Sequence, residues 1–478
     1  MNETFWMAPE VIVAITAFVT LIADLFISEE KKRVLPALGL IGLAAGLVAT
    51  VTLLPGEGSM FGGRFVFTAV AGWFKILFLL GGAFTIAVSW SGARAERLTS
   101  SGEYYSVLLF TLVGMMFLVS ARDLLTLYIS LELATIPLYA LASWRRGDRR
   151  SGEAGLKYVV NGALASALLL YGLGLLYGLT GQFELGAIRA ALTVSPAFWL
   201  AAALITAGIG FKLTIVPFHM WAADVYQGAP TPVTAYLSVA SKGAGLAFMF
   251  QLFFGVFGDQ LTEWPWLIAL LATITMTLGN LVAIVQNNIK RFMAFSSVSQ
   301  AGYILLGFLG PFTESVPAMV YYLLVYVFTN MAVFAVIIFY SDTTGRETID
   351  EYRGLSRTNP LVALVMMLGL FSLAGIPPLS GFVGKFFLFS IAAQADLHWL
   401  VAVAALNSTV SLFYYLRIVR AMYIEPPFEN AGALPVSGLT KVTLAVATIG
   451  VIALGLLPQY YEMIFRQTGG WLSLLASR

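Results

Sequence analysis

Six residues of this chain have chemistry that an oily environment resists: Glu132, Lys157, Lys212, His219, Lys242 and Lys385. Each lies in or beside a run of otherwise apolar residues. A carboxylate buried alone favours its neutral form, and so does a buried ammonium. Brought together, each holds the other charged. Glu132, in LTLYISLELATIPLY, is therefore a partner for a lysine. A Glu–Lys contact that forms and breaks is a proton switch; one that stays closed is a structural ion pair.

The other residues of the set occupy marked positions. Lys212 sits in GFKLTIVPFHMWAADVYQGAPTP, after Gly208 and Gly210 and before Pro217. Proline removes a backbone donor and kinks a helix, and glycine weakens one. His219 follows Lys212 by seven residues, so a regular helix would put both on one face. An imidazole suits proton relay near neutrality, although a lone histidine also serves as a satisfied structural group. Lys385 follows Pro377-Pro378 in SLAGIPPLSGFVGKFFLF, and Lys242 lies mid-segment in AYLSVASKGAGLAF, near Ser238 and Ser241. Lys157 follows Glu153 by one helical turn, a spacing that suits a local ion pair. Lys75 lies near one end of its segment and is expected to snorkel to the interface.

The elements that must position these groups are membrane helices. The 478 residues are 59% hydrophobic and 11% charged, with mean hydropathy +0.86. Soluble domains carry roughly 25% charged residues. A charge at the bilayer centre costs about 2.5–3.5 kcal/mol on insertion scales, so the buried lysines need partners and water. No basic stripe suggests nucleic-acid binding. There is no cysteine, which excludes disulfides and thiolate-held iron–sulfur clusters on this chain. The dinucleotide fingerprint and the P-loop are absent, so redox or nucleotide chemistry belongs to other chains. The N-terminal MNETFWMAPEVIVAITAFVTLIADLF reads as a retained helix, not a removable signal.

About 20 apolar residues cross a bilayer. The pattern predicts about fourteen crossings, near 8–27, 34–54, 69–90, 104–120, 123–143, 154–179, 197–222, 231–257, 265–286, 292–310, 317–341, 361–394, 399–423 and 440–458. Lysine and arginine placement sets orientation. With the N-terminus outside, inner loops hold Lys31, Lys32, Arg33, Arg94, Arg97, Arg145, Arg146, Arg149, Arg150, Lys290, Arg291, Arg346, Arg353, Arg357 and Lys441. The outer side keeps Arg64, Arg122, Arg189, Arg466 and Arg478. Both termini are then expected outside. Gly42/Gly46 and Gly174/Gly178 are expected to allow close helix packing. The seventh and twelfth segments share AGI, a proline break and a lysine, and they run in opposite directions, as in inverted-repeat transporters.

The chain resembles the antiporter-like membrane subunits of respiratory complex I. The resemblance rests on EYYSVLLFTLVGMMFLVSARDLLTLYISLELATIPLYAL, EAGLKYVVNGALASALLLYG, FKLTIVPFHMWAADVYQGAPTPVTAYLSVASK, NIKRFMAFSSVSQAGY and SLAGIPPLSGFVGKF. It implies an all-α polytopic fold of about fourteen transmembrane helices with two inverted five-helix repeats and broken helices 7 and 12. The divisions would be 1–103 (three helices), 104–257 and 258–424 (the repeats), and 425–478 (the last helix). It also implies a pair of Glu132 with Lys212, a central Lys242, a terminal Lys385, and Lys157 as a further member. No cofactor is expected on this chain. NAD, FMN, iron–sulfur clusters and quinone would belong to partner subunits in a bacterial inner membrane, among them neighbouring antiporter-like subunits. Many relatives carry AYSS-x-SH where this chain has AFSSVSQ, so Gln300, which cannot take up a proton, replaces a titrating histidine. A rival resemblance is the large subunit of a multisubunit Na⁺/H⁺ antiporter; equivalent subunits of ferredoxin- or F420-driven complexes are a variant of the first. A scaffold that has lost transport fits poorly, because idle buried charges would cost stability.

Overall fold

A computed structural model of the chain describes residues 3–91, 102–258, 264–429 and 431–468. Arg94, Arg97 and Arg478, used for orientation, lie outside these residues. Lipid offers no hydrogen bonds, so an apolar chain satisfies its amides within helices. The helices are α1 (Ala8–Phe26), α2 (Val34–Leu53), α3 (Ala69–Ser91), α4 (Gly102–Ser120), α5 (Leu124–Ala142), α6 (Arg149–Thr180), α7 (Pro196–Leu213), α8 (Trp221–Gly228), α9 (Thr231–Phe257), α10 (Trp264–Ile284), α11 (Ile289–Leu305), α12 (Phe312–Thr344), α13 (Pro360–Ala374), α14 (Ser380–Gln394), α15 (His398–Tyr423), α16 (Gly438–Leu456) and α17 (Gln459–Thr468). A shorter helix, Leu185–Ala191, joins α6 to α7. Among the described residues twelve helices are long and apolar enough to cross a membrane. Two predicted segments fall outside that set. The one near 292–310 is α11 with a 3₁₀ turn at Leu306–Phe308, and the one near 361–394 is α13 plus α14.

Local chemistry explains the ends. The Asp123 carboxylate accepts from the Thr126 amide and caps α5; Ser195 does the same for α7. α9 and α12 form the middle of the bundle and are almost wholly buried, whereas α1 and α15 are mostly not and present apolar faces outward. That contrast places the polar residues of α9 deep inside the protein.

Both proline-marked segments are broken, as the sequence predicts. α7 stops at Leu213, where Thr214 takes a left-handed φ of 59°, and the chain turns through Pro217 before α8. α13 stops at Ala374, Gly375 has φ +88°, and the chain passes Pro377-Pro378 before α14. Glycine tolerates that conformation without steric cost. α9 carries an unpredicted distortion: Leu237–Ser241 is a π-helical turn directly before Lys242. Such turns insert an extra residue and re-aim the side chains beyond them.

The glycine expectation is half right. Gly42 and Gly46 face α1, where an added Cβ would meet Thr16 and Val13. Gly174 and Gly178 are exposed, with nothing among the described residues within 4 Å of an added Cβ. Gly172 makes the close α6–α7 approach instead, near Ile205 and the Ala201 carbonyl. A short antiparallel hairpin, β1 (Gly58–Met60) and β2 (Phe65–Phe67), covers the α2–α3 end of the bundle and was not predicted.

Candidate functional site

Glu132 of α5 and Lys212 of α7 form no ion pair or hydrogen bond with each other among the described residues. The Ser166 hydroxyl of α6 donates to Glu132 Oε1 at 2.6 Å. Lys212 is 4% exposed, and among the described residues its ammonium has no hydrogen-bond or ion-pair partner. Glu132 is thus held by a hydroxyl while Lys212 stands apart, the open arrangement of a Glu–Lys pair. The Lys212 stem packs toward α9: a Cβ added at Gly245 would lie 3.1 Å from Lys212 Cβ.

Lys157 belongs to a different group. Its ammonium bonds Asp224 Oδ2 at 2.6 Å and Glu153 Oε1 at 2.7 Å. Arg291 Nη1 bonds Asp224 Oδ1 at 2.6 Å and Gln227 Oε1 at 3.1 Å. Asp224, on α8 past the predicted span, therefore ties α6 to α11. Partial burial raises its carboxyl, but Lys157 and Arg291 outweigh that and hold it below the usual carboxylate range. No hydrogen bond or ion pair joins Lys157 to Glu132 or Lys212 among the described residues. Sequence reasoning found the Glu153 pairing but missed Asp224, because only the α7 break turns Asp224 toward α6.

His219 is part of the break, so the seven-residue spacing from Lys212 no longer implies a shared face. Its ring is half-buried, 6.4 Å centroid to centroid from Phe295, and its Nδ1 has no hydrogen-bond partner among the described residues.

Lys242 and Lys385 are linked more closely than their separation in sequence suggests. Lys242 is 1% exposed, and its ammonium donates to the Ser297 carbonyl of α11. The expected neighbour Ser238 instead bonds the Ala235 carbonyl. One turn beyond Ser297, Gln300 Nε2 donates to the Leu373 carbonyl at 3.1 Å, and Gln300 Oε1 accepts from Tyr322 OH. Lys385 Nζ donates to that same Leu373 carbonyl at 2.8 Å, to the Ala374 carbonyl at 3.1 Å and to Ser408 Oγ at 3.0 Å. The α13 break frees these carbonyls, and they point at a cation as a helix C-terminus favours. Tyr303 adds an aromatic face 4.4 Å from the ammonium. Gln300 therefore sits between two buried lysines and bonds groups on α12 and α13.

Lys75 corrects the snorkelling expectation. Its side chain is 0% exposed and its ammonium pairs with Glu10 Oε1 at 2.6 Å, Glu10 also being 0% exposed. The hairpin roofs that end of α3, so an interfacial position for the ammonium is closed off. Among the described residues no group of three or more His, Cys, Asp or Glu is placed to hold a metal ion.

Residues 121–411 match the family described as NADH:quinone oxidoreductase/Mrp antiporter, TM. The chain belongs to this antiporter-like family. It is similar to the NADH-quinone oxidoreductase subunit N of Moorella thermoacetica, 42% identical over 461 residues covering 96% of each chain. It is also similar to that of Dehalococcoides mccartyi, 40% identical, covering 94% of this chain and 96% of the relative. Among solved structures it resembles a chain of respiratory complex I from Thermus thermophilus with bound aureothin, with TM-score 0.81 and 33% identity, over 94% of this chain and 97% of that one. A chain of the Mrp complex from Dietzia sp. shares the fold, with TM-score 0.88 at 22% identity, over 99% and 98%. The antiporter-like region matched by the family holds all six candidate residues and Gln300; Glu10 and Lys75 precede it.

Proposed function

We propose that this chain is the subunit N-type membrane subunit of a NADH:quinone oxidoreductase, and that it translocates protons when partner subunits reduce quinone. The observation that carries this is the 42% identity to a subunit N over nearly the whole of both chains. The Mrp likeness stands at 22%. NAD, FMN, iron–sulfur clusters and quinone belong to partner subunits, neighbouring antiporter-like chains included. The chain spans a bacterial plasma membrane with both termini outside, following the lysine and arginine asymmetry of its loops. Residues 104–257 and 258–424 act as inverted repeats, each contributing one broken helix.

The chain's own residues supply the transfer. Closing Glu132 on Lys212 stabilises the ammonium; opening the pair frees a proton from Lys212. Lys242 takes it up in the core of α9 and passes it along α11 toward Lys385, whose carbonyl cage holds the charged form. His219 and the Lys157–Asp224 group serve the inner entry. Such a pump needs a two-state element that redox chemistry biases, and the α7 and α13 breaks are suited to that part.

Affinity purification through a tag on this chain tests the proposal. Recovery of flavin- and iron–sulfur-bearing partners with NADH:quinone activity supports it. Recovery of an assembly without redox cofactors that exchanges Na⁺ for H⁺ would replace it with the antiporter reading, and a ferredoxin- or F420-oxidising assembly would change the donor alone.

A further inference from the structure

The Glu10–Lys75 pair lies outside the six-residue set and outside the matched family region. It joins α1 to α3 at the end of the bundle that carries the hairpin. The Lys75 ammonium lies 4.5 Å from the Phe67 ring and 5.1 Å from the Phe65 ring. Beyond the ion pair, neither Glu10 oxygen nor the ammonium has a hydrogen-bond partner in another residue among the described residues. Buried ion pairs that stabilise a fold satisfy their remaining lone pairs and protons with further hydrogen bonds. A bare pair lacks those further bonds, so its charged form is less favoured over the neutral acid and amine than in a fully bonded pair.

A polar group lies on the same end of the bundle, nearer the core. Arg122, from the turn between α4 and α5, donates to Gln251 Oε1 of α9 at 2.5 Å, and Gln251 Nε2 donates to the Val119 carbonyl at 2.8 Å. Arg122 and Gln251 also line a cavity of ≈ 10 Å³, together with Thr68, Phe74 and Phe250. That is about the room one water needs, and three polar side chains, Thr68, Arg122 and Gln251, are in the lining. Phe74 of α3 lines it, and neither Lys75 nor Glu10 does. Gln251 lies on the same helix as Lys242, nine residues nearer this end.

We propose that Glu10 and Lys75 form a second Glu–Lys proton-exchange pair, serving proton release at the outer end of the bundle. The inference rests on the pumping function proposed above. One proton passes from the Lys75 ammonium to the Glu10 carboxylate, giving amine and acid with no change in net charge. The acid yields that proton to outer water when the Phe65/Phe67 roof shifts, and the amine takes up the next proton arriving from the core path proposed above, which restores the charged pair. The charged groups facing the pair are then Arg122 from the α4–α5 turn and the two partners themselves; the hairpin contributes aromatic faces and α9 contributes the neutral Gln251. The chain thus holds one Glu–Lys pair closed, Glu10–Lys75, and one open, Glu132–Lys212.

The test compares Glu10→Gln/Lys75→Met and Lys75→Arg in inverted vesicles bearing the whole complex. The double variant removes both charges and keeps similar volume. Lys75→Arg keeps the ion pair but cannot release a proton. Both are expected to assemble, as read by NADH dehydrogenase activity in the membrane, with the pH gradient lowered several-fold. Wild-type gradients in both variants would reduce the pair to a structural tie and overturn the proposal. A second measurement uses the conservative variant Glu10→Asp, which keeps the carboxylate. Redox-induced infrared difference spectra of wild type should show a protonated-carboxyl band that Glu10→Asp shifts; absence of any such shift overturns the proposal. Wild-type vesicles that oxidise NADH without forming a gradient would refute the pumping function and this proposal with it; a normal wild-type gradient left unchanged in both variants would refute the pair alone.

Discussion

Replacing Gln300 by leucine is a severe test of the path between Lys242 and Lys385. Gln300 is 1% exposed and bonds the Leu373 carbonyl, Tyr322 OH and, at 3.4 Å, Tyr415 OH. Leucine keeps the volume and removes the amide. The Leu373 carbonyl retains Lys385 at 2.8 Å, and Tyr415 OH retains Ser296 Oγ at 2.6 Å. Tyr322 OH loses its acceptor. One orphaned buried hydroxyl costs about 1–3 kcal/mol, too little to dissolve a bundle of this size. The complex should therefore assemble, while proton transfer past α11 loses its polar bridge. Inverted vesicles should show a pH gradient several-fold below wild type and slower NADH oxidation. Gln300→His, which keeps a donor and an acceptor, should retain most of both. A wild-type gradient in Gln300→Leu would refute the bridging argument, and failure to assemble would refute the worked magnitude.

The same geometry sets other outcomes. Ser166→Ala removes the hydroxyl that holds Glu132 and should shift the Glu132–Lys212 pair toward contact, altering the pH dependence of pumping more than assembly. Gly375→Ala forces an L side chain into φ +88° and brings a Cβ 3.1 Å from Lys385 Cδ, so a cost of about 1–3 kcal/mol and weakened coupling are expected. Asp224→Asn should loosen α8 from α6 and α11, seen as faster proteolysis of the intervening loops. The sign for pH is set by the lowered Asp224 carboxyl: the cluster's stabilisation is fully present above the ordinary carboxylate value of about 4 and is lost as pH falls through the depressed one. Proteolytic sensitivity that instead rises between neutrality and pH 5 would contradict that assignment.

The sequence made part of this legible, for physical reasons. Lysines in apolar runs announce themselves, because lipid makes idle charges costly; Lys212, Lys242 and Lys385 are all buried. Proline with glycine marked both helix breaks. Partners were harder to read. Glu10, in the first turn of α1, looks like an ordinary acidic residue near a helix start, and only the folded bundle brings it to Lys75. Asp224 carries no signal in the sequence, and only the α7 break brings it to Lys157 and Arg291. The π turn before Lys242 leaves no compositional trace, and Gly174 and Gly178 show that four-residue spacing fixes a face without saying what lies against it. Gln300 stood out as a departure from a motif, but its bond to the carbonyl that also holds Lys385 is a tertiary fact.

The central claim is that Lys212 is a proton-transfer group in a coupled pump. Inverted vesicles carrying wild type or Lys212→Ala, assayed for NADH oxidation and the pH gradient together, with and without sodium, test it most directly. Loss of both signals together, independent of sodium, is the predicted result. Normal oxidation and a normal gradient in Lys212→Ala, or loss of sodium-driven proton exchange alone, would contradict it.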